Sequence, residues 1–198
     1  MAYSNFTLQQ VKRDFHLFIE TSPLPLFDSN EVVEPSDWLK KALSMASNYS
    51  LYSEKARSEL LVMPILLEMA EKKHFSIFSG FNLDVSPEQG LNGECDFILS
   101  KKNNKYVLET PIFGLVEAKK QDIDLGIPQC IAQMIGAKMF NENEQTGIKT
   151  IYGCVTTGEE WLFMKLENDV VLIDKEKYFI KDVNLILGVL QQIVDRNP

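Results

Sequence analysis

The sequence predicts an α/β fold in which one mixed β-sheet is covered by helices on both faces. Three observations lead there. Apolar residues recur at helical spacing in some segments and as short β-branched runs in others, in the order helix, strands, helix, strands, helix. The run Ile-Phe-Gly-Leu-Val-Glu-Ala at 112–118 is apolar almost throughout, as a strand buried on both faces must be. The chain has 198 residues, 45% hydrophobic and 24% charged, enough for a substantial core in one compact domain.

The first 50 residues read as helical. Leu8, Val11, Phe15 and Phe18 form one apolar stripe, which the segment Ser22-Pro23-Leu24-Pro25 ends. Ser36 is a plausible N-cap for a second helix bearing Trp38, Leu39, Ala42, Leu43 and Met45. We therefore divide the chain into a helical N-terminal extension, 1–50, packed on a main domain, 51–198. A helix spans about 53–73, with Leu60, Met63, Leu66, Leu67 and Ala70 on one face and Pro64 expected to kink it.

Residues 75–85 follow as a strand with Gly80 as a candidate bulge, and a turn-rich stretch through Gly90 and Gly93 feeds a strand at 94–99. Lys101-Lys102-Asn103-Asn104 reads as a hairpin turn into a strand at 106–109, before the buried strand at 112–118. Residues 127–141 form a helix with Pro128 favourably near its start. Strands at 150–156 and 160–166 flank the turn Thr157-Gly158-Glu159, and 170–174 adds another. Asp182 then caps a last helix carrying Val183, Ile186, Leu187, Leu190 and Ile193.

Composition narrows the functional classes. No run of about 18 apolar residues suggests a membrane span, and the opening Met1-Ala2-Tyr3-Ser4-Asn5 lacks the pattern of a secretory signal, so the expectation is a cytoplasmic protein without a membrane partner. Cys95, Cys130 and Cys154 are too few and scattered for a disulfide framework and read as core residues. His16 and His74 have no partner at metal-ligand spacing. The formal net charge of −8 argues against a nonspecific nucleic-acid coat, because phosphate contacts need local positive potential.

The chemistry-bearing residues lie between Gly93 and Lys120. Glu117 and Lys119, two apart at the end of a strand, point to one face, and Asp96 comes from a neighbouring strand. Two carboxylates, helped by a backbone carbonyl such as that of Ala118, offer the oxygen ligands Mg²⁺ prefers. Such a site suits hydrolysis of a phosphodiester, in which Lys119 would orient or activate a water, or stabilise charge on the phosphorus. The bland reading of Glu-x-Lys is an exposed salt-bridged strand end; its place after an apolar run, one hairpin from Asp96, favours a site.

The stretches Gly93-Glu94-Cys95-Asp96 and Val116-Glu117-Ala118-Lys119 resemble the PD-(D/E)XK nuclease superfamily, the fold of many restriction endonucleases and Holliday-junction resolvases. The resemblance covers about 53–166, and the layout is similar to that of small bacterial proteins with a helical N-terminal extension. It implies a restriction-endonuclease-like sheet, a Mg²⁺ or Mn²⁺ cofactor on Asp96, Glu117 and the Ala118 carbonyl, a catalytic Lys119, and DNA as partner. It also implies an acidic residue on the preceding helix, for which Glu59 is the best match, and a glutamine on the following one. Gln129 and Gln133 share a helix face; Gln129, nearer the helix start, is preferred.

The match departs from the strict motif where Cys95 replaces the proline before Asp96. Glu94 is either an extra ligand or a strand-edge charge, and Lys120 either touches phosphate or is solvated.

The leading expectation is thus metal-dependent hydrolysis of phosphodiesters in DNA. The alternative is a catalytically silent module of the same fold that binds a partner, and a third reading is a hydrolase of another phosphate ester. Nucleic-acid binding would be helped by a basic rim built from Lys101, Lys102, Lys105, Lys120 and Lys138. Without that rim, a homodimer or protein partner would have to supply the surface.

Overall fold

The computed structural model describes residues 2–102, 104 and 106–197. Helix α1, Leu8–Asp14, starts at Thr7, whose hydroxyl and Gln10 form a reciprocal capping box. The apolar stripe does not continue as helix. His16 adopts φ 55°, and β1, Phe18–Thr21, runs parallel to a strand formed about 150 residues later. The expectation of a wholly helical first 50 residues is therefore corrected: the spacing of Phe15 and Phe18 fits a helix locally, but pairing with a distant strand decides the conformation.

Helix α2, Asp37–Ala46, is capped by Ser36 as expected, with its hydroxyl accepting the Leu39 N–H. The next helix is continuous in direction but not in hydrogen bonding. Helix α3, Glu54–Arg57, passes through a π turn, Ser58–Val62, into α4, Met63–Lys73. Pro64 explains this, because it has no N–H to return to the preceding turn, and Met63 bonds instead to Ser58 O, five residues back. His74 closes α4 in the left-handed conformation.

The remaining elements are β2, Ser76–Asn82; β3, Glu94–Ser100; β4, Ile112–Ala118; α5, Ile127–Asn143; β5, Thr150–Thr156; β6, Glu160–Glu167; β7, Val170–Ile173; β8, Tyr178–Phe179; and α6, Val183–Asp195. Strands β1 to β8 form one mixed 8-stranded sheet in the order β1-β7-β6-β5-β4-β3-β2, with β8 paired to β6. The β4–β5 and β1–β7 pairs are parallel and the others antiparallel.

Several local expectations change. Gly80 has φ 60° but inserts no extra residue, since Ser79 faces Phe97 and Phe81 faces Cys95 in unbroken register; the irregularity lies between Leu99 and Ser100, against β4. Residues 106–109 are not a strand. Asn104 Oδ1 accepts the N–H groups of Tyr106 and Val107, and this local turn competes with pairing. Asp182 occupies the N-cap of α6 without a capping side-chain bond. The short β8 had no signal in the sequence pattern.

Two apolar cores sandwich the sheet. On one face Tyr3, Val11 and α5 residues Cys130, Ile131 and Met134 pack against Leu115 and Val155. On the other, Leu39, Leu66 and Leu190 from α2, α4 and α6 cover Phe113, Trp161 and Phe163. All three cysteines are buried and unpaired. Among the described residues no helix is long and apolar enough to cross a membrane.

Candidate active site

β3 and β4 run side by side, with Phe97 facing Val116 and Ile98 facing Leu115. Beyond Phe97 the backbone ladder stops, and the Asp96 side chain takes its place: Oδ2 accepts the N–H of Ala118 at 2.7 Å. A buried N–H left unpaired there would cost about 1–3 kcal/mol. Strict alternation would set Cys95 and Ile98 on opposite faces, yet both belong to the core beneath α5. The strand therefore turns at Asp96, opposite Gly80, whose left-handed backbone suits glycine.

On β4 the register shift leaves Phe113 and Leu115 in opposite cores, and alternation resumes from Leu115 toward the site. Lys119 Nζ lies 2.5 Å from Glu117 Oε1 and 3.2 Å from Gln129 Oε1. Glu117 Oε2 accepts from Gln133 Nε2 at 2.7 Å. The two glutamines sit one turn apart on α5, as their spacing required. Lys119 N–H bonds to Thr156 O at 2.8 Å, so β5 holds the backbone from which the ammonium projects.

The electrostatics follow from burial. Glu117 is 2% exposed. Its desolvation, with the Asp96 charge added, pushes its pKa up to about 7 despite the ion pair with Lys119 and the Gln133 bond. Burial also raises Asp96, with the Ala118 N–H and Lys119 opposing and Glu54 and Glu94 reinforcing the shift. For Lys119 burial alone would lower the pKa, but Glu117, Glu54 and Asp96 outweigh it and hold the ammonium above its ordinary value.

Asp96 and Ala118 open onto a cleft of about 360 Å³ whose other walls include Glu54, Ser58, Glu59, Gly80 and Glu94. Glu117 is buried and does not line it. Asp96, Glu117, Lys119 and Gln129 are thus brought together, and Gln133 joins them through Glu117.

Glu59 is corrected. Its side chain is 63% exposed and sits 3.8 Å from Lys55. Glu54 is the helix acid that reaches the site: its Oε2 accepts the Lys120 N–H at 3.1 Å, and its charge acts on both Asp96 and Lys119. Five residues correspond to about 140° around an ideal helix, so the two carboxylates leave it in different directions. Ser53, which accepts the Ala56 N–H as N-cap, was the local signal that set Glu54 at the first helical position.

Glu94 is exposed along the cleft wall. Lys120 places its ammonium 3.7 Å from the centroid of the Tyr52 ring. Among the described residues the expected basic rim does not form. Lys101 donates to Val194 O, past the far end of β3 and about 17 Å along the strand from Asp96. Lys138 bonds to Asn168 O and pairs with Asp169, about 13 Å along α5 from Gln129. Lys102 borders a separate depression with Glu109 and Glu144. Lys105 lies outside the described residues.

Asp96 and Glu117 carry carboxylate oxygens and Ala118 a carbonyl, the ligand types that a hard divalent cation would take. Among the described residues, however, no three His, Cys, Asp or Glu side chains are grouped to hold a metal ion. Glu117 has both oxygens engaged, while Asp96 Oδ1 has no hydrogen-bond partner among the described residues. Comparison with protein-family models, with curated proteins and with solved structures finds no match to this chain.

Proposed function

We propose that this protein is a nuclease with a restriction-endonuclease-like fold, hydrolysing phosphodiester bonds in DNA with Mg²⁺ or Mn²⁺ as cofactor. The observation that carries the reading is the Lys119 ammonium, held between Glu117 and Gln129 beside Asp96 at the ends of two adjacent strands. Asp96, Glu117 and the Ala118 carbonyl would hold the metal, which when bound supplies Lewis-acid polarisation of the scissile phosphate and a more acidic water.

The side chains have distinct work. Lys119 stays protonated, so it donates hydrogen bonds to the attacking water or to the phosphoryl oxygens as negative charge develops on them. Gln129 and Glu117 restrict where that ammonium can point, and Gln133 fixes the Glu117 carboxylate. Glu54 adds negative charge at the cleft and ties the helix to Lys120.

The test is hydrolysis of linear, nicked and branched DNA in Mn²⁺, with chelator as control. Asp96→Ala and Lys119→Ala each abolish cleavage while the fold is retained. Metal-dependent cleavage that survives both changes overturns the assignment. The second reading, a silent module of the same fold, draws on the acidic cleft formed by Glu54, Glu59, Glu94 and Asp96 and on the missing lysine rim. It predicts no cleavage of any of these substrates.

A further inference from the structure

Tyr52, two residues before the cleft-lining Glu54, has 75% of its surface exposed. Its only close cation among the described residues is the Lys120 ammonium, over one face of the ring. Successive residues at the exit of β4 therefore serve two sides. Lys119 turns inward to Glu117 and Gln129, and Lys120 turns outward to Tyr52. The bond from Lys120 N–H to Glu54 ties the Tyr52 loop to that exit.

A second exposed tyrosine, Tyr49, lines a depression of about 390 Å³ together with Trp38 and Met45. That depression meets the acid cleft at Glu59, which borders both. Aromatic faces thus lead toward Asp96 along a path with few cations. A duplex presents one phosphate charge per about 1.7 Å of axis and needs cations to neutralise it. Among the described residues that line this cleft, Lys55 faces Glu54, Glu59, Glu94 and Asp96, with Lys120 tied to Glu54 beside it. An unpaired strand carries lower charge density and offers bare base faces, which stack on tyrosine whatever their sequence.

We propose that the site takes an unpaired stretch of nucleic acid, with one base stacked on Tyr52 and its phosphate beside Lys120. This rests on the nuclease reading for the bond that is cut, but the binding step can be measured without turnover.

The experiment measures anisotropy of a labelled oligothymidylate, the same strand with abasic sites, and a blunt duplex, with the full chain in Ca²⁺. Cleavage of a single-stranded tail and of the blunt duplex is then followed in Mn²⁺. The oligothymidylate should bind at least tenfold tighter than the duplex and lose that advantage when abasic. Tyr52→Ala should weaken it about tenfold, appearing in KM more than in kcat, and Tyr52→Phe should restore it. Thermal melting of the variants checks folding.

Equal binding of single strand and duplex, or binding indifferent to Tyr52→Ala, overturns the inference even if Asp96-dependent cleavage is found. Tyr52-dependent strand binding without any cleavage supports the inference and overturns the nuclease reading.

Discussion

Gly126, at the N-cap of α5, lies against the stem of Lys119. A Cβ there would come 2.5 Å from Val155 Cγ1 and 3.1 Å from Lys119 Cγ. The helix that supplies Gln129 can approach β4 and β5 this closely because position 126 has no side chain. Gly126→Ala should therefore cost about 1–3 kcal/mol of stability from overpacking. It should also lower cleavage by about 10–100-fold, because Lys119 must shift. Urea unfolding and Mn²⁺-dependent turnover check both; unchanged turnover would show that the lysine's position is not set by this contact.

Lys119 and Glu117 form a buried pair, so their contributions should be coupled. Lys119→Met leaves the Glu117 carboxylate with Gln133 alone and should destabilise the protein by about 3 kcal/mol. The double variant Glu117→Gln with Lys119→Met removes both charges and should recover most of that loss. Denaturation of the two single variants and the double variant gives the coupling energy; strict additivity would mean that the pair does not act as a unit.

Glu54 and Glu59 lie on the same stretch of helix but should differ in effect. Glu54→Gln weakens the tie to Lys120 and removes a charge acting on Lys119, so turnover should fall about tenfold or more. Glu59→Gln touches an exposed pair with Lys55 and should change stability by less than about 0.5 kcal/mol, with little effect on turnover. Equal losses in the two variants would remove Glu54 from the site.

Away from the cleft, Glu68 gives a stability signal that depends on pH. Its carboxylate accepts Ser36 N–H at 2.9 Å and Ser36 Oγ–H at 2.7 Å, and pairs with Lys72 at 2.9 Å. Burial alone would raise its pKa, but these bonds outweigh it and the net shift is downward from 4.5. A depressed folded pKa means that the unfolded chain takes up the proton first as pH falls. The stabilisation is therefore complete above about 4.5 and is lost as pH drops toward the folded value. Glu68→Gln should cost about 1–2 kcal/mol at pH 7, and the deficit should narrow below about pH 4.5 in a denaturation series. A deficit independent of pH would mean that the charge is not what holds Ser36.

Residues whose relation is set within one element were legible in the sequence. Glu117 and Lys119 share a side of β4 because side chains alternate, and Gln129 and Gln133 share a side of α5 because four residues make about one turn. Strand β4 was readable from its nearly continuous apolar run, and the cap at Ser36 falls where the backbone needs an acceptor. Pro64 announced a disturbance, although the form it took, a π turn, depended on which carbonyl the Met63 N–H could reach.

Residues whose relation spans elements were not legible. The Phe18 segment is a strand because β7 offers it a partner, and no local periodicity encodes that partner. Glu54 joins Glu59 at the cleft and alone of the two bonds the Lys120 N–H, because the direction of α3 over the strand ends is set by packing of the α4 continuation against the sheet. Asp96 bonds to Ala118 because two strands part company at that point. Of the lysines expected to form a rim, Lys101 and Lys138 lie toward the far ends of β3 and α5, a consequence of strand and helix length. The sequence by itself determined the chemical types present and their spacing along each element, since backbone geometry is local. Only the tertiary structure decided which of them meet, because that is settled by burying two apolar faces of one sheet at once.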